Sequence, residues 1–183
     1  MNVRTPAALP GETGLWVFIF ADLLFFSLLF GLASWDLGSA VAAAKAGRAA
    51  LDTNIGMVNT LVLLTGSWAA AMGTRVAARE RAAPWLFGAA ASGVIFLILK
   101  AIEYAHVSGA GHALGETPFF TWYFVLTGFH AFHVAGGIVL LGCVGESLRK
   151  GNVVGETLIE SAGCYWHLVD LLWIGIFLIL YLL

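Results

Sequence analysis

Residues 118–145, "PFFTWYFVLTGFHAFHVAGGIVLLGCVG", run for 28 positions without a lysine, arginine, aspartate or glutamate. Two histidines, His130 and His133, are the only ring bases in the run. A helix rises about 1.5 Å per residue, so about 20 mostly apolar residues cross the hydrocarbon core of a bilayer. This run is longer than that, and it sets the character of the whole chain. Of 183 residues 60% are hydrophobic and 11% are charged, against about 25% charged in soluble domains. So few charges cannot cover so much apolar surface in water, and the sequence predicts a protein whose solvent is lipid.

Working outward, four further runs have the same character: 13–35, 55–77, 83–105 and 157–183. The expected fold is all-α, a bundle of five transmembrane helices in a single domain over residues 1–183. Pro84 and Pro118 fall where a helix start tolerates proline. The first run is too long for a signal-peptide core and is expected to persist as a span. The longest connection, 36–54, contains "AVAAAKAGRAA", which could form a small surface helix. Cys143 and Cys164 lie in apolar runs and read as small core thiols. A net charge of −2 without a basic patch gives no basis for binding nucleic acid.

Lysine and arginine set the direction of insertion. Arg4, Arg75, Arg79, Arg81, Arg149 and Lys150 fall on one side, and only Lys45 and Arg48 on the other. The amino terminus is therefore expected on the cytoplasmic side and the carboxyl terminus on the periplasmic side or its equivalent. Gly66 and Gly73 lie on a ridge of small residues in the second run, of the kind that lets helix backbones approach. Gly137 does the same in the fourth. The small-residue ridges are expected to pack the bundle, and those of spans one to three to carry docking toward a partner. The bulky end of the fifth run, "WIGIFLILYLL", is expected to face lipid or to form an outer wall.

Ionisable groups inside the membrane are expensive and need partners. Asp22, His130, His133, Glu160, His167 and Asp170 lie within the runs. Counted inward from the cytoplasmic edge, all but Glu160 fall at similar depth. They are read as a polar network, with carboxylates and imidazoles of different helices satisfying one another and the two histidines of span four linking it to span five. Lys100 and Glu103, three apart near the other end of the third span, read as a local pair, or as a contact to lipid headgroups with the lysine stem snorkelling. A metal or haem held by His130, His133, His167 and Asp170 is the competing reading, but three histidines at depth, two of them on one helix, are badly placed to clasp a macrocycle. No cofactor is expected.

Four motifs, in order, carry a resemblance: "NTLVLLTGSW" (59–68), "LKAIEY" (99–104), "FVLTGFHAFHVAGG" (124–137) and "CYWHLVDLLWIGIFLILYLL" (164–183). Together they resemble the subunit III family of haem-copper oxidases over about residues 12–183. Seven spans are usual in the mitochondrial type, and this chain resembles the short form lacking the first two. "ETGLWVFIFADLLFF" with "PFFTWYFVLTGFHAFHV" looks most like the accessory subunit linked to nitric oxide reductase. The resemblance implies a non-redox subunit that packs on a catalytic haem-copper subunit, binds membrane lipids and supports assembly and sustained turnover in aerobic or nitric oxide respiration. Two other functions compete: a small proton-coupled transporter using the mid-membrane carboxylates, and a b-type membrane cytochrome. Five unbroken spans speak against the inverted repeats and broken helices of transporters.

Overall fold

The computed structural model describes residues 11–76 and 81–183. Arg4 and Arg79, two of the cations that set the expected direction, lie outside the described residues, as does Ala77 at the end of the second run. The chain forms α1 (Thr13–Ser39), α2 (Val41–Ala49), α3 (Thr53–Arg75), α4 (Ala83–Gly109), α5 (Pro118–Arg149) and α6 (Glu156–Phe177), the last continued by a π-helical turn over Leu178–Leu182. There is no strand among the described residues. Five of the helices are long and apolar enough to cross a membrane; α2 is the exception.

Local chemistry sets the helix ends. The Asp52 carboxylate accepts a hydrogen bond from the Asn54 N–H to start α3, and the Thr117 hydroxyl accepts one from Phe120 N–H to start α5. At the ends of α4 and α5 the chain reverses through Gly111 and Gly151, with φ of 93° and 74°. His112 N–H then reaches back to Val107 C=O, and Asn152 N–H to Ser147 C=O. These closing bonds satisfy carbonyls that a helix terminus would leave orphaned. The helices overrun the apolar runs, α1 to residue 39, α4 to 109 and α5 to 149, because helix continues into the interfacial layer where hydropathy falls.

Helices α3, α4, α5 and α6 close into a four-membered ring, each packed on two neighbours, and α1 leans on the outside of the α5–α6 seam. The centre of the ring is Trp166 of α6, fully buried. A Cβ placed on Gly93 would lie 2.6 Å from its ring, one on Gly137 2.8 Å, and one on Gly66 3.4 Å from its indole nitrogen. Thus α3, α4 and α5 each give up a side chain so that α6 can place one indole between them.

One expectation is overturned and another holds on one face only. The glycine ridge of α3 does not face a partner. Gly66 lies against Ser92, where a Cβ would come within 1.8 Å of the hydroxyl oxygen, and Gly73 lies against Trp85 and Leu86, so the ridge is consumed by α4. The end of α6 is an outer wall on one face only: Ile174, Leu178 and Leu182 are exposed, while Ile176 and Leu180 are fully buried, with Ile179 and Tyr181 nearly so. Bulky residues fit there because the neighbours supply room, as where Gly56 faces Phe177 and Tyr181.

Candidate functional site

The polar side chains within the bundle do not form one continuous network. They form separate bonds, most of which begin on α6 and end on a different helix. At the start of α6 the Glu160 carboxylate accepts from Gly11 N–H at 3.1 Å, and the Ser161 hydroxyl from Glu12 N–H at 3.2 Å. This pins the entry to α1. Tyr165 donates its hydroxyl to the His133 carbonyl of α5, and Trp173 donates its indole N–H to Thr60 of α3. Tyr181, in the π-helical turn, reaches α4.

That last contact is the most enclosed. Lys100 and Glu103 are each 2% exposed. The Lys100 ammonium donates to Glu103 Oε2 at 3.0 Å and to the Tyr181 hydroxyl at 2.7 Å, and Tyr181 donates to Glu103 Oε1. The triangle is closed, so each group satisfies the other two. Rings surround the ammonium: Tyr123 at 4.9 Å, Trp173 at 5.1 Å and Tyr181 at 5.3 Å, an arrangement that favours a cation electrostatically. Nearby, Tyr104 donates to Thr127, whose hydroxyl is itself given to the Tyr123 carbonyl. The snorkelling and headgroup reading of Lys100 is corrected here. The local pair forms, but it points into the ring of helices, because Tyr181 from the far end of the chain offers it a better partner than the membrane surface.

The two histidines of α5 part company. His133 donates Nδ1–H to the Phe129 carbonyl at 2.8 Å, and its Nε2 lies 3.2 Å from the Asp22 carboxylate of α1. The two are within ion-pair distance, although Asp22 Oδ2 makes no hydrogen bond of ordinary geometry. His133 therefore ties α5 to α1, not to span five as expected. His130, fully buried, has neither ring nitrogen hydrogen-bonded and lies between the rings of Phe96 and Trp173. The amide of Asn59, also fully buried, makes no hydrogen bond either.

On α6, His167 and Asp170 diverge. His167 is exposed on the outside of the bundle, midway along the helix, and hydrogen-bonds through Nδ1 to Ser67 of α3 at 2.6 Å. Asp170 is buried behind it, its carboxylate beside the Ser67 hydroxyl but without a hydrogen bond of ordinary geometry. Among the described residues no three His, Cys, Asp or Glu side chains converge as metal ligands would. Cys143 and Cys164 are both free.

The sequence alone did not bring out Thr60, Ser67, Tyr165, Trp173 or Tyr181, which complete these contacts. A signal was present: four residues of α6 and its turn, Tyr165, Trp166, Trp173 and Tyr181, pair a large apolar body with one polar tip, and such residues in a span bind neighbouring helices. Arrangements of this kind hold helices together.

The comparisons with known proteins agree in one direction. A family model described as cytochrome c oxidase subunit III matches residues 5–183. Cytochrome c oxidase subunit 3 of Corynebacterium diphtheriae is 30% identical over 177 residues, covering 93% of this chain and 86% of the relative. Quinol oxidase subunit 3 of Bacillus spizizenii is 29% identical over 197 residues, covering 100% of this chain and 94% of the relative. A fused heme-copper oxidase subunit I+III of Aeropyrum pernix is 26% identical over 182 residues, and the match spans 22% of that longer protein. With a five-span bundle and a family match across nearly its whole length, the chain belongs to the cytochrome c oxidase subunit III family.

Proposed function

We propose that the chain is the non-catalytic accessory subunit of a bacterial respiratory haem-copper complex, docking on the catalytic subunit and supporting its assembly and sustained turnover. Family membership supports this over the transporter and cytochrome readings, and the fused relative carries both subunits in one polypeptide. Insertion with the amino terminus in the cytoplasm is supported by charge: Arg75, Arg81, Arg149 and Lys150 lie at one end of the bundle, Lys45 and Arg48 at the other. The nitric oxide reductase partner rests on the motifs of α1 and α5; the relatives named above are oxidase subunits.

The observation that carries docking is His167. It belongs to an outward stripe of α6, His167, Leu171, Ile174 and Leu178, between α1 and α3. An imidazole facing hydrocarbon at mid-membrane is costly, and a protein surface that accepts its free ring nitrogen removes that cost. The docking face is accordingly the α1–α6–α3 side. The test is recovery of a haem-bearing partner with the tagged full chain in mild detergent. His167→Leu should lower recovery by at least about five-fold, the equivalent of one hydrogen bond of about 1 kcal/mol. Val139→Trp, on an exposed face of α5, should leave recovery unchanged. Full recovery with His167→Leu overturns this face. Absence of any haem protein with the parent chain overturns the accessory role. Assaying the recovered complex with oxygen and with nitric oxide decides the acceptor.

A further inference from the structure

We infer that the end of the bundle carrying α2 is an interaction surface for an acidic segment of the haem-bearing partner protein, with an aspartate or glutamate on Arg48 and Lys45 and a neighbouring bulky apolar side chain in the cavity beside them. The inference rests on the accessory reading above and adds where, and by what chemistry, the partner is held. The rotation of α2 is fixed. Gly47 rests on Phe119, where a Cβ would come within 2.2 Å of the ring, and Ala44 is buried. That seating leaves Lys45 and Arg48, three apart, on one flank of the helix. They are the only lysine and arginine outside the spans at this end of the bundle, the cation-poor one.

Neither cation has an acidic partner among the described residues. Arg48 Nε is sealed from solvent and makes no hydrogen bond. The acids nearest in sequence are engaged elsewhere: Asp36 accepts from the Trp122 indole N–H at 2.9 Å, and Asp52 caps α3. A half-buried guanidinium with a free donor requires an oxygen acceptor, and its planar fork matches a carboxylate. The cavity beside it holds about 230 Å³, with Leu37, Val41, Ile179 and Leu183 among its walls. A space of about 150 Å³ takes a benzene-sized ring, so the room offered is that of one bulky side chain, not of an acyl chain of membrane length. The surface also continues the docking face. The outward stripe of α6 runs on from Leu178 to Leu182, next to Leu183 in the cavity wall. One protein segment carrying a carboxylate beside an apolar side chain meets both needs where the two subunits already adjoin.

The test is zero-length cross-linking of the tagged full chain with its haem-bearing partner, in mild detergent, by a water-soluble carbodiimide, which joins an amine to a carboxylate only where the two touch. Peptide mass spectrometry should find Lys45 joined to an aspartate or glutamate of the partner. Lys45→Arg, which keeps the charge and removes the amine, should lose that link. Lys45→Glu and Arg48→Glu should each lower recovery of the partner by at least about five-fold, because like charges then face one another across the interface. Lys45 is exposed, so its variant reports whatever becomes of the folding of the other. Ile179→Trp, which fills the cavity, should lower the yield of the Lys45 link by about five-fold. Recovery of the partner with Lys45 joined to none of its carboxylates, the result that a lipid headgroup on these cations would give, overturns the surface and leaves the accessory role standing. Undiminished recovery with Lys45→Glu, or an undiminished link with Ile179→Trp, overturns it as well. Absence of any haem protein with the parent chain removes the accessory role itself, and this inference with it.

Discussion

Helices α1 and α6 are nearly the same length and both are apolar enough to span a bilayer, yet they occupy opposite situations. In an 18-residue apolar stretch within Gly14–Ser39 of α1, 11% of residues are buried; in one within Glu156–Leu182, α6 with its turn, the share is 56%. Mean hydropathy is 2.3 for α1 and 1.8 for α6 with its turn, both ample for a span, but apolar content alone does not place them, because lipid tails are as apolar as leucine and give no reason for one helix to seek another. What separates them is how the polar and small residues are spread. Along α6, Glu160, Ser161, Tyr165, His167, Trp173 and Tyr181 each bond to another segment, and Ala162 and Gly163 let neighbours close in. Along α1, large side chains point outward on every turn, Phe20, Leu24, Leu28 and Trp35 among them, and mid-span contact with the ring is made by Asp22 and a few rings, Phe25, Phe26 and Phe30. Apolar content puts a helix in the membrane; polar tips and missing side chains decide its place in the bundle.

The sharpest way to break that comparison is to empty the slot at the centre of the ring. Trp166→Ala removes the side chain that Gly66, Gly93 and Gly137 accommodate. Backbones held apart by helix packing cannot collapse fully into the void, and loss of a buried aromatic typically costs about 3–5 kcal/mol. Thermal unfolding of the full chain in mild detergent should show the largest drop of any single substitution in α6. Trp35→Ala, the same change at a position 82% exposed on α1, should shift the transition hardly at all. Equal losses at the two tryptophans would mean that position in the bundle does not govern stability.

A smaller effect is expected at the seam between α1 and α5. Asp22→Ala leaves His133 Nε2 without its partner, and a buried group left unsatisfied costs about 1–3 kcal/mol. The loss should fall on the seating of α1 rather than on the ring, since His133 keeps its bond to the Phe129 carbonyl. His133→Ala should have a similar effect, and the double substitution should be little worse than either single one, because the two act through one contact. Disulfide trapping checks this. Phe25 and Phe129 touch across the seam with ring centroids 5.3 Å apart, and cysteines in their places should cross-link more slowly in the Asp22→Ala background. An unchanged rate would show that α1 is held by its apolar contacts alone.

These cases show what could be read from the sequence. The five spans, the all-α class and the short helix after the first span follow from run length and composition, which report only on transfer into lipid. The family motifs were equally visible, since each is a contiguous string. Partner choice was not. Depth along a span places His130, His133, His167 and Asp170 in one layer, but depth says nothing about rotation. At about 100° per residue His167 and Asp170, three apart, are offset by only about 60° on the helix, yet the edge of the packed face falls between them, leaving His167 exposed and Asp170 buried. Lys100 shows a second limit. Its local partner, Glu103, was visible three residues away, while Tyr181 lies 81 residues on, in a π-helical turn that no periodicity marks. The α3 glycine ridge was recognised as a packing surface and assigned to the wrong neighbour, because small residues announce a close approach without naming what approaches.

The smallest effect sharpens the comparison from the other side. Leu28 lies midway along α1 and is 63% exposed. In water such a leucine would be conspicuous; in lipid it is at home, and replacing it by alanine exchanges one apolar surface for another. Leu28→Ala should therefore change the stability of the isolated full chain by less than about 0.5 kcal/mol, the usual range for substitutions away from packed features. The same substitution gains meaning once the partner is present. If the α1–α6–α3 side is the docking face, Leu28 becomes a buried residue in the complex, and its truncation should lower recovery of the catalytic subunit while the chain alone unfolds as before. A change in the chain alone would show that α1 packs more tightly on the ring than its exposed side chains indicate. No change in either measurement would place Leu28 against lipid and confine docking to the α6–α3 part of the face.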